Sequence, residues 1–230
     1  MKSIRVWSNR ELKKFSSLFD GEVINVSGWQ DKDKEGGKYR DYFCSSKNYY
    51  ISNYSDDKVR GESESTNTDF VIDLEEKIDP VFIDRFDVVF HHTILEHVSD
   101  PVFVFRNLSL MTKDIFISVV PFKQKLHFEK GSYGDYFRFS PMAMRKLYED
   151  NGFTILYESF SPPPLIDIYL FYIGYRKKKW EENRKKTLID IEKLNGRMGA
   201  NNYKILLYTI IYNIYIKLLH FLRVRKKEIE

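Results

Sequence analysis

Residues 86–101 read FDVVFHHTILEHVSDP, and this stretch carries the fold prediction. Its first five residues form a short apolar run, which is typical of a parallel strand covered on both faces. His91 and His92 follow directly, and Glu96 and His97 come a few residues later. The sequence SDP at residues 99–101 is typical of a helix N-terminus. In open α/β sheets, ligands bind outside the carboxyl ends of the strands. We therefore expect these polar side chains either to contact a ligand or to cap the strand and the helix.

Other apolar runs alternate with helical segments along the first two thirds of the chain. This alternation predicts βαβ units and a mostly parallel sheet. The last two strand candidates are joined only by SPPPLID, which is too short for a crossover helix, so they should pair antiparallel. The strand candidates are residues 22–26, 49–52, 69–73, 87–90, 115–120, 154–160 and 168–175, and the helix candidates are residues 9–19, 101–111 and 141–151.

The composition bounds the class of protein. A chain of 230 residues suits one main domain with an appendage. The single cysteine, Cys44, has no partner for an internal disulfide, and the first residues lack the pattern of a secretory signal, so we expect a cytoplasmic protein. The formal net charge of +4 argues against a generally nucleic-acid-binding body, because the basic runs lie near the end of the chain.

The character of the sequence changes after residue 176. Residues 177–194 are highly charged, and residues 203–222, YKILLYTIIYNIYIKLLHFL, are mostly apolar. Within that run, four polar residues share one narrow stripe of a helix. We predict an α/β domain over residues 1–176 and a basic, amphipathic helical extension over residues 177–230. The stripe residues are Thr209, Asn213, Lys217 and His220.

Three roles are open for this extension. The helix could pack on its own domain or on a second copy in a homodimer. It could lie in a membrane interface, because an apolar face with flanking basic residues suits that position. Its length is also sufficient to span a bilayer, although the polar residues on the stripe are costly in hydrocarbon.

A second motif supports a family resemblance. Residues 119–153, VVPFKQKLHFEKGSYGDYFRFSPMAMRKLYEDNGF, combine a strand ending in proline, a histidine, an Asp-Tyr-aromatic-Arg-Phe segment and a helix closing on Asn-Gly-Phe. Together with residues 86–101, this order resembles the S-adenosylmethionine (SAM)-dependent methyltransferases, in particular a group associated with bacterial surface-sugar biosynthesis. The resemblance covers residues 20–175. It implies the Rossmann-like class I sheet, mostly parallel with an antiparallel final strand, followed here by C-terminal helices.

The resemblance also implies a cofactor site for SAM at the carboxyl ends of the first four strands. In the family, the first strand ends in an acid and a glycine-rich turn, and the second strand ends in an acid that holds the ribose. This chain departs from both patterns, since Asn25 and Asn53 replace the acids and Ser27, Trp29 and Asp31 replace glycines. We expect modest cofactor affinity. The predicted cofactor-binding residues are Asn25, Ser27, Gly28, Asn53, Asp73, His91, His92 and Leu95.

Methyl transfer to a hydroxyl needs a group that accepts the proton, and histidine commonly fills that role. His127 is the predicted catalytic base. Asp135, Tyr136 and Arg138 are predicted to bind the substrate, although Arg138 could instead form a structural ion pair with Asp135. Glu96 and His97 are interpreted as residues that cap the following helix. No spacing typical of a zinc site is present, so no metal is predicted.

Two functions are compatible with these features. The first is an enzyme that O-methylates a sugar or a lipid-linked saccharide. The second is a catalytically silent relative that binds or scaffolds at a membrane surface. Retention of His127 and of DYFRF favours the enzyme, whereas the altered glycine loop favours the silent relative.

Overall fold

The computed structural model describes residues 4–54, 68–130, 133–161 and 169–184. Within these ranges, seven strands form one sheet in the order 3-2-1-4-5-7-6, counted along the chain. The strands are β1 (Gly21–Val26), β2 (Ser46–Asn53), β3 (Phe70–Val71), β4 (Phe86–His92), β5 (Thr112–Pro121), β6 (Thr154–Phe160) and β7 (Tyr169–Tyr175).

The strand directions confirm the predicted fold class. β1 to β5 pair parallel with one another, while β7 lies between β5 and β6 and runs antiparallel to both. The short connection SPPPLID therefore does join an antiparallel pair. As a result, the carboxyl ends of β1, β2, β4 and β5 meet at one edge of the sheet, which we call the carboxyl edge.

The helices are α1 (Ile4–Lys13), α2 (Pro101–Met111) and α3 (Pro141–Asp150). α2 and α3 begin where the sequence predicts. Asp100 caps α2 by accepting hydrogen bonds from the first helical N–H groups, and Ser140 caps α3 in the same way. α3 ends before Gly152, whose φ of +75° is a left-handed conformation that glycine adopts without strain.

α1 differs from the prediction of a helix over residues 9–19. It begins five residues earlier and ends at Lys13, and a 3₁₀ turn over Ser16–Leu18 follows. Serine side chains compete with the helical backbone for hydrogen bonds, which disfavours continuation through Ser16. The apolar side chains of the segment, including Phe15 and Phe19, are nevertheless buried against the sheet.

Both faces of the sheet are covered. On one face, Phe15 packs on Tyr157 of β6 with a ring-centroid distance of 4.7 Å. On the other face, Phe105 of α2 lies 4.8 Å from Phe116 of β5, and Tyr148 of α3 lies 5.5 Å from the same ring. Apolar layers therefore cover both faces, and β4 ends with His91 and His92 at the carboxyl edge.

The last described segment is a 3₁₀ turn over Lys178–Asn183. Its Trp180 is buried against Phe19 at a centroid distance of 5.3 Å, and its indole N–H donates to Asp114 at 2.9 Å. The remainder of the predicted extension, including residues 203–222, lies outside the described residues. Among the helices that the structure describes, none combines the length and the apolarity that a membrane crossing requires.

Candidate functional site

The two histidines that end β4 face opposite sides of the sheet. His91 is fully buried beside Phe116, and its Nε2 lies 2.8 Å from Oγ of Ser118. Tyr148 donates to the same hydroxyl at 2.9 Å. Burial lowers the pKa of His91 to about 3, so the imidazole is neutral in the folded protein. The structure thus places His91 in the core between β4, β5 and α3.

His92 lies on the α1 side of the sheet. Its Nε2 is 2.8 Å from Oγ of Ser8 in α1, and its ring is 6.3 Å from that of Tyr39. Burial, together with the nearby charge of Arg5, holds the pKa of His92 well below its ordinary value. Helix α1 therefore crosses the carboxyl edge and contacts a predicted cofactor-binding residue directly.

In the loop after β1, residues other than glycine adopt the left-handed backbone conformation that glycine favours. Ser27, Trp29 and Asp31 have φ values of +49°, +47° and +60°. This left-handed region is strained for residues with a Cβ atom. Gly28 has no such φ, but a Cβ at this position would lie 2.6 Å from Nδ2 of Asn25. The backbone of the loop thus keeps left-handed residues at alternate positions, and side chains occupy the places that glycine would leave empty.

Asp31 organises this loop. Its carboxylate is buried and accepts hydrogen bonds from Asn25 Nδ2 at 2.8 Å, from Tyr49 Oη at 2.7 Å and from the backbone N–H of Arg40 at 3.0 Å. The position at which the resemblance implies a glycine therefore holds an acid that three donors stabilise. The Asp31 carboxylate also pairs with the side-chain amide of Asn25, which stands where the resemblance implies an acid.

Asn53 closes β2, where the resemblance implies a ribose-binding acid. Its side-chain oxygen accepts from the backbone N–H of Trp29 at 2.8 Å, and its amide nitrogen donates to Thr68 at 2.7 Å. Asp73 follows β3 and is partly exposed, and one of its oxygens accepts from the N–H of Glu75. Asn53 therefore connects β2 to the β1 loop, and Asp73 forms a local turn.

Glu96 is the most unusual group at the carboxyl edge. It lies in a 3₁₀ turn over Leu95–His97, and its carboxyl group is fully buried. Within the described residues, neither of its oxygens has a hydrogen-bond partner. Burial raises the pKa of Glu96 to about 8, with a further upward contribution from Asp135. An acid that keeps its proton at neutral pH therefore lies beneath the predicted site.

His97 connects Glu96 to the predicted base. Its Nδ1 lies 2.6 Å from the carbonyl oxygen of Gly134, so Nδ1–H donates and Nε2 faces Glu96 at 3.6 Å. Its ring lies 4.9 Å from that of His127 and 4.6 Å from that of Tyr133. Burial lowers the pKa of His97, which favours a neutral imidazole beside the protonated acid.

The segment between β5 and α3, residues 122–130 and 133–139, is called the strap below. It brings three of the predicted site residues together. The backbone N–H of His127 donates to Asp135 at 2.6 Å, and Nδ1 of His127 lies 3.8 Å from the same carboxylate. The His127 side chain is 43% exposed, so it is accessible from solvent.

Arg138 holds the strap together. Two of its N–H groups donate to the Asp135 carboxylate, and the other three donate to the carbonyl oxygens of Gln124, Lys125 and Phe137. A guanidinium has five N–H donors, and the protein itself pairs all five. Its hydrogen bonds, together with its charge, hold the pKa of Asp135 below the ordinary value. This arrangement corresponds to the structural ion pair that the sequence left open.

The remaining predicted residues are divided between surface and core. Tyr136 has an exposed ring, while its backbone N–H donates to the carbonyl oxygen of Glu96 at 2.7 Å. Leu95 is fully buried. Among the described residues, no three His, Cys, Asp or Glu side chains are arranged to hold a metal ion.

Sequence reasoning missed four contributors to this edge. It placed Glu96 and His97 at a helix cap, and it treated Asp31 only as a missing glycine. It also gave α1 no contact with the site, whereas Asn9 of α1 donates to Asp33 O at 2.9 Å and to Glu35 Oε2 at 2.8 Å. The pairing of an acid with a histidine directly after β4 was the available signal for Glu96.

Comparison with known proteins supports the fold. No family model and no curated protein sequence matches the chain. Among solved structures, the chain resembles the magnesium protoporphyrin IX methyltransferase from Synechocystis PCC 6803 with bound SAM, at 14% identity and a TM-score of 0.52. That match covers 75% of this chain and 79% of the other.

Two further structures show the same likeness. The SAM-dependent methyltransferase from Mesorhizobium loti matches with a TM-score of 0.54 at 12% identity, over 76% of this chain and 99% of the other. The putative SAM-dependent methyltransferase from Listeria monocytogenes matches with a TM-score of 0.52 at 12% identity, over 76% and 98%. The fold of this chain is therefore the Rossmann-like class I methyltransferase fold.

The loop after β1 has a glycine-like backbone conformation, and it departs from the pattern that the resemblance implies in its side chains. Residues 27, 29 and 31 have left-handed φ values, a conformation that glycine adopts most readily. The amides of Asn25 and Asn53 are already paired within the protein. The backbone N–H groups of Gly28, Trp29 and Asp31 are paired as well, with Ser52 O, Asn53 Oδ1 and Gly28 O, so bound SAM would have to exchange some of these hydrogen bonds.

Proposed function

We propose that the chain is a SAM-dependent methyltransferase that O-methylates a hydroxyl of a sugar or a lipid-linked saccharide. The observation that carries this proposal is the buried Glu96 beneath His97 and His127. An unpaired buried carboxyl costs stability, and such groups concentrate at functional sites. The saccharide class rests on the resemblance of the two sequence motifs.

The side chains of the strap would carry the proton transfer. Bound SAM would supply an electrophilic methyl group. His127 is exposed and its Nδ1 faces Asp135, so Nε2 would accept the proton of an acceptor hydroxyl. His97 and the buried Glu96 lie behind this ring and would tune its surroundings.

The experiment has two stages. Calorimetric titration with SAM and with S-adenosylhomocysteine tests cofactor binding. Release of S-adenosylhomocysteine with nucleotide-linked and lipid-linked saccharides then tests methyl transfer. We expect His127→Ala to lower turnover by ~100-fold and to leave cofactor affinity unchanged, because it removes a general base. Glu129→Ala, on the same strap, is the matched control and should retain turnover.

A second candidate function is a silent methyltransferase fold that binds a different ligand or partner. The loop after β1 favours this second function, because Trp29 and Asp31 place side chains where the resemblance implies glycines. A folded protein that shows no saturable binding of SAM at millimolar concentration would support this second function and exclude the first.

A further inference from the structure

The strap presents a group of large apolar side chains to solvent. Leu126 is 71% exposed, Phe128 is 69% exposed and Tyr136 is 62% exposed, and Phe137 is also exposed. Outside the strap, the exposed apolar side chains of the described ranges are spread over several elements. Clusters of this kind on a protein surface mark interaction sites.

These side chains form one surface because the two legs of the strap are fastened side by side. Arg138 donates to the carbonyl oxygens of Gln124 and Lys125, and the N–H of His127 donates to Asp135. Glu129 and Tyr133 exchange backbone hydrogen bonds at 3.1 Å in each direction. Leu126 and Phe128 on one leg therefore lie beside Tyr136 and Phe137 on the other.

The charges around this surface are mainly positive. Lys125 and Lys130 flank Leu126 and Phe128, and both are exposed. Glu129 is an exposed acid, whereas the carboxylate of Asp135 forms an ion pair with Arg138. Apolar side chains that protrude between lysines are the pattern of a segment that enters the interface of an anionic bilayer.

We propose that the strap docks on an anionic lipid surface, with Leu126 and Phe128 inserted at the interface and Lys125 and Lys130 against the head groups. The protruding side chains suit insertion better than reception of a partner helix, which requires a groove. This contact is distinct from the predicted C-terminal helix, and it stands whether or not the chain transfers methyl groups.

The test is co-sedimentation of the full chain with vesicles of phosphatidylcholine alone and of phosphatidylcholine mixed with phosphatidylglycerol. We expect binding to the mixed vesicles that weakens with salt. The double variant Leu126→Ser/Phe128→Ser should lower the partition coefficient by about tenfold or more. Lys125→Gln and Lys130→Gln should each lower it by about fivefold on the anionic vesicles.

Val81→Ser/Ile83→Ser is the matched control, because it removes two exposed apolar side chains outside the strap. All variants keep the C-terminal residues, so any contribution from that segment is the same throughout. Equal binding by the wild type and the strap double variant, with unchanged melting temperatures, would overturn the proposal. So would failure of the wild type to bind the anionic vesicles, or equal loss of binding in the control.

Discussion

Oε1 of Glu96 lies 3.6 Å from Nε2 of His97, beneath the strap that carries His127. The distance is too long for a hydrogen bond, and Nδ1 of His97 is already paired with the carbonyl oxygen of Gly134. The acid and the imidazole therefore face each other as two neutral groups. Burial of the acid makes the stability of the protein depend on pH.

The first prediction concerns Glu96. Burial raises the pKa of Glu96 from 4.5 in the unfolded chain to about 8 in the folded protein. The native state therefore keeps the proton while the unfolded chain loses it, and the free energy of unfolding falls as pH rises through this window. Glu96→Gln should gain stability relative to the wild type by about 4–5 kcal/mol across the window. Urea unfolding near both ends measures this gain, and a difference that stays constant with pH would contradict it.

The second prediction concerns His91 and has the opposite sign. Burial lowers the pKa of His91 from 6.5 to about 3, so the unfolded chain binds a proton that the folded protein excludes. Stability is therefore present above the ordinary pKa and is lost as pH falls below it. His91→Gln should flatten the decline between pH 6.5 and 4.5 by about 2 kcal/mol. Ser118→Ala is the control, since it removes the partner of Nε2 and keeps the titrating ring; an equally steep decline in His91→Gln would refute the prediction.

The fold was predictable because its signals are local. The apolar run at residues 86–90 and the caps at Asp100 and Ser140 each act within a few residues, and the length of SPPPLID alone requires an antiparallel pair. The start of α1 was not predictable from such signals. Its position depends on contacts with residues far along the chain, such as the hydrogen bond between Ser8 and His92.

The candidate site was predictable only where a motif lies in one segment. His127 and Asp135 are eight residues apart, and the structure brings them together. Glu96 instead contacts a distant segment, since the N–H of Tyr136 in the strap donates to its carbonyl oxygen, and no local pattern reveals that its carboxyl group is buried. In the same way, the donors that hold Asp31 come from Asn25, Arg40 and Tyr49, so no local pattern reveals that this acid is structural.

The third prediction concerns Asn53. Asn53→Asp keeps an oxygen to accept the N–H of Trp29 at 2.8 Å and restores the acid that the resemblance implies at the end of the second strand. If the proposed function holds, this variant should bind SAM about tenfold more tightly, because charge-assisted hydrogen bonds to ribose are stronger than neutral ones. Calorimetry measures the change. Asn48→Asp, at the exposed start of β2, is the control, and equal affinities in all three proteins would show that residue 53 does not contact the cofactor.

The fourth prediction concerns the loop after β1. Ser27 is exposed and has a φ of +49°, so Ser27→Gly removes strain and should change stability by less than about 1 kcal/mol. Asp31→Gly removes the same kind of strain but leaves the donors of Asn25 and Tyr49 unpaired, and should destabilise by about 3 kcal/mol or more. Chemical unfolding of the two variants measures the contrast. Similar losses in both would mean that backbone strain, and not the buried carboxylate, dominates the energetics of this loop.

The last prediction separates the structural role of Arg138 from substrate binding. Arg138→Lys cannot donate to Asp135 and to three carbonyl oxygens at once, so the strap should loosen, with a loss of about 2–4 kcal/mol in the free energy of unfolding. Arg145→Lys is the matched control, because Arg145 also makes a paired contact with a buried acid, Glu158, through bonds of 2.6 and 3.0 Å. Both variants should lose stability. Turnover should fall only in Arg138→Lys, through a lower kcat with KM nearly unchanged, because its effect reaches the reaction through the placement of His127. A selective rise in KM would instead show that the guanidinium contacts the acceptor directly.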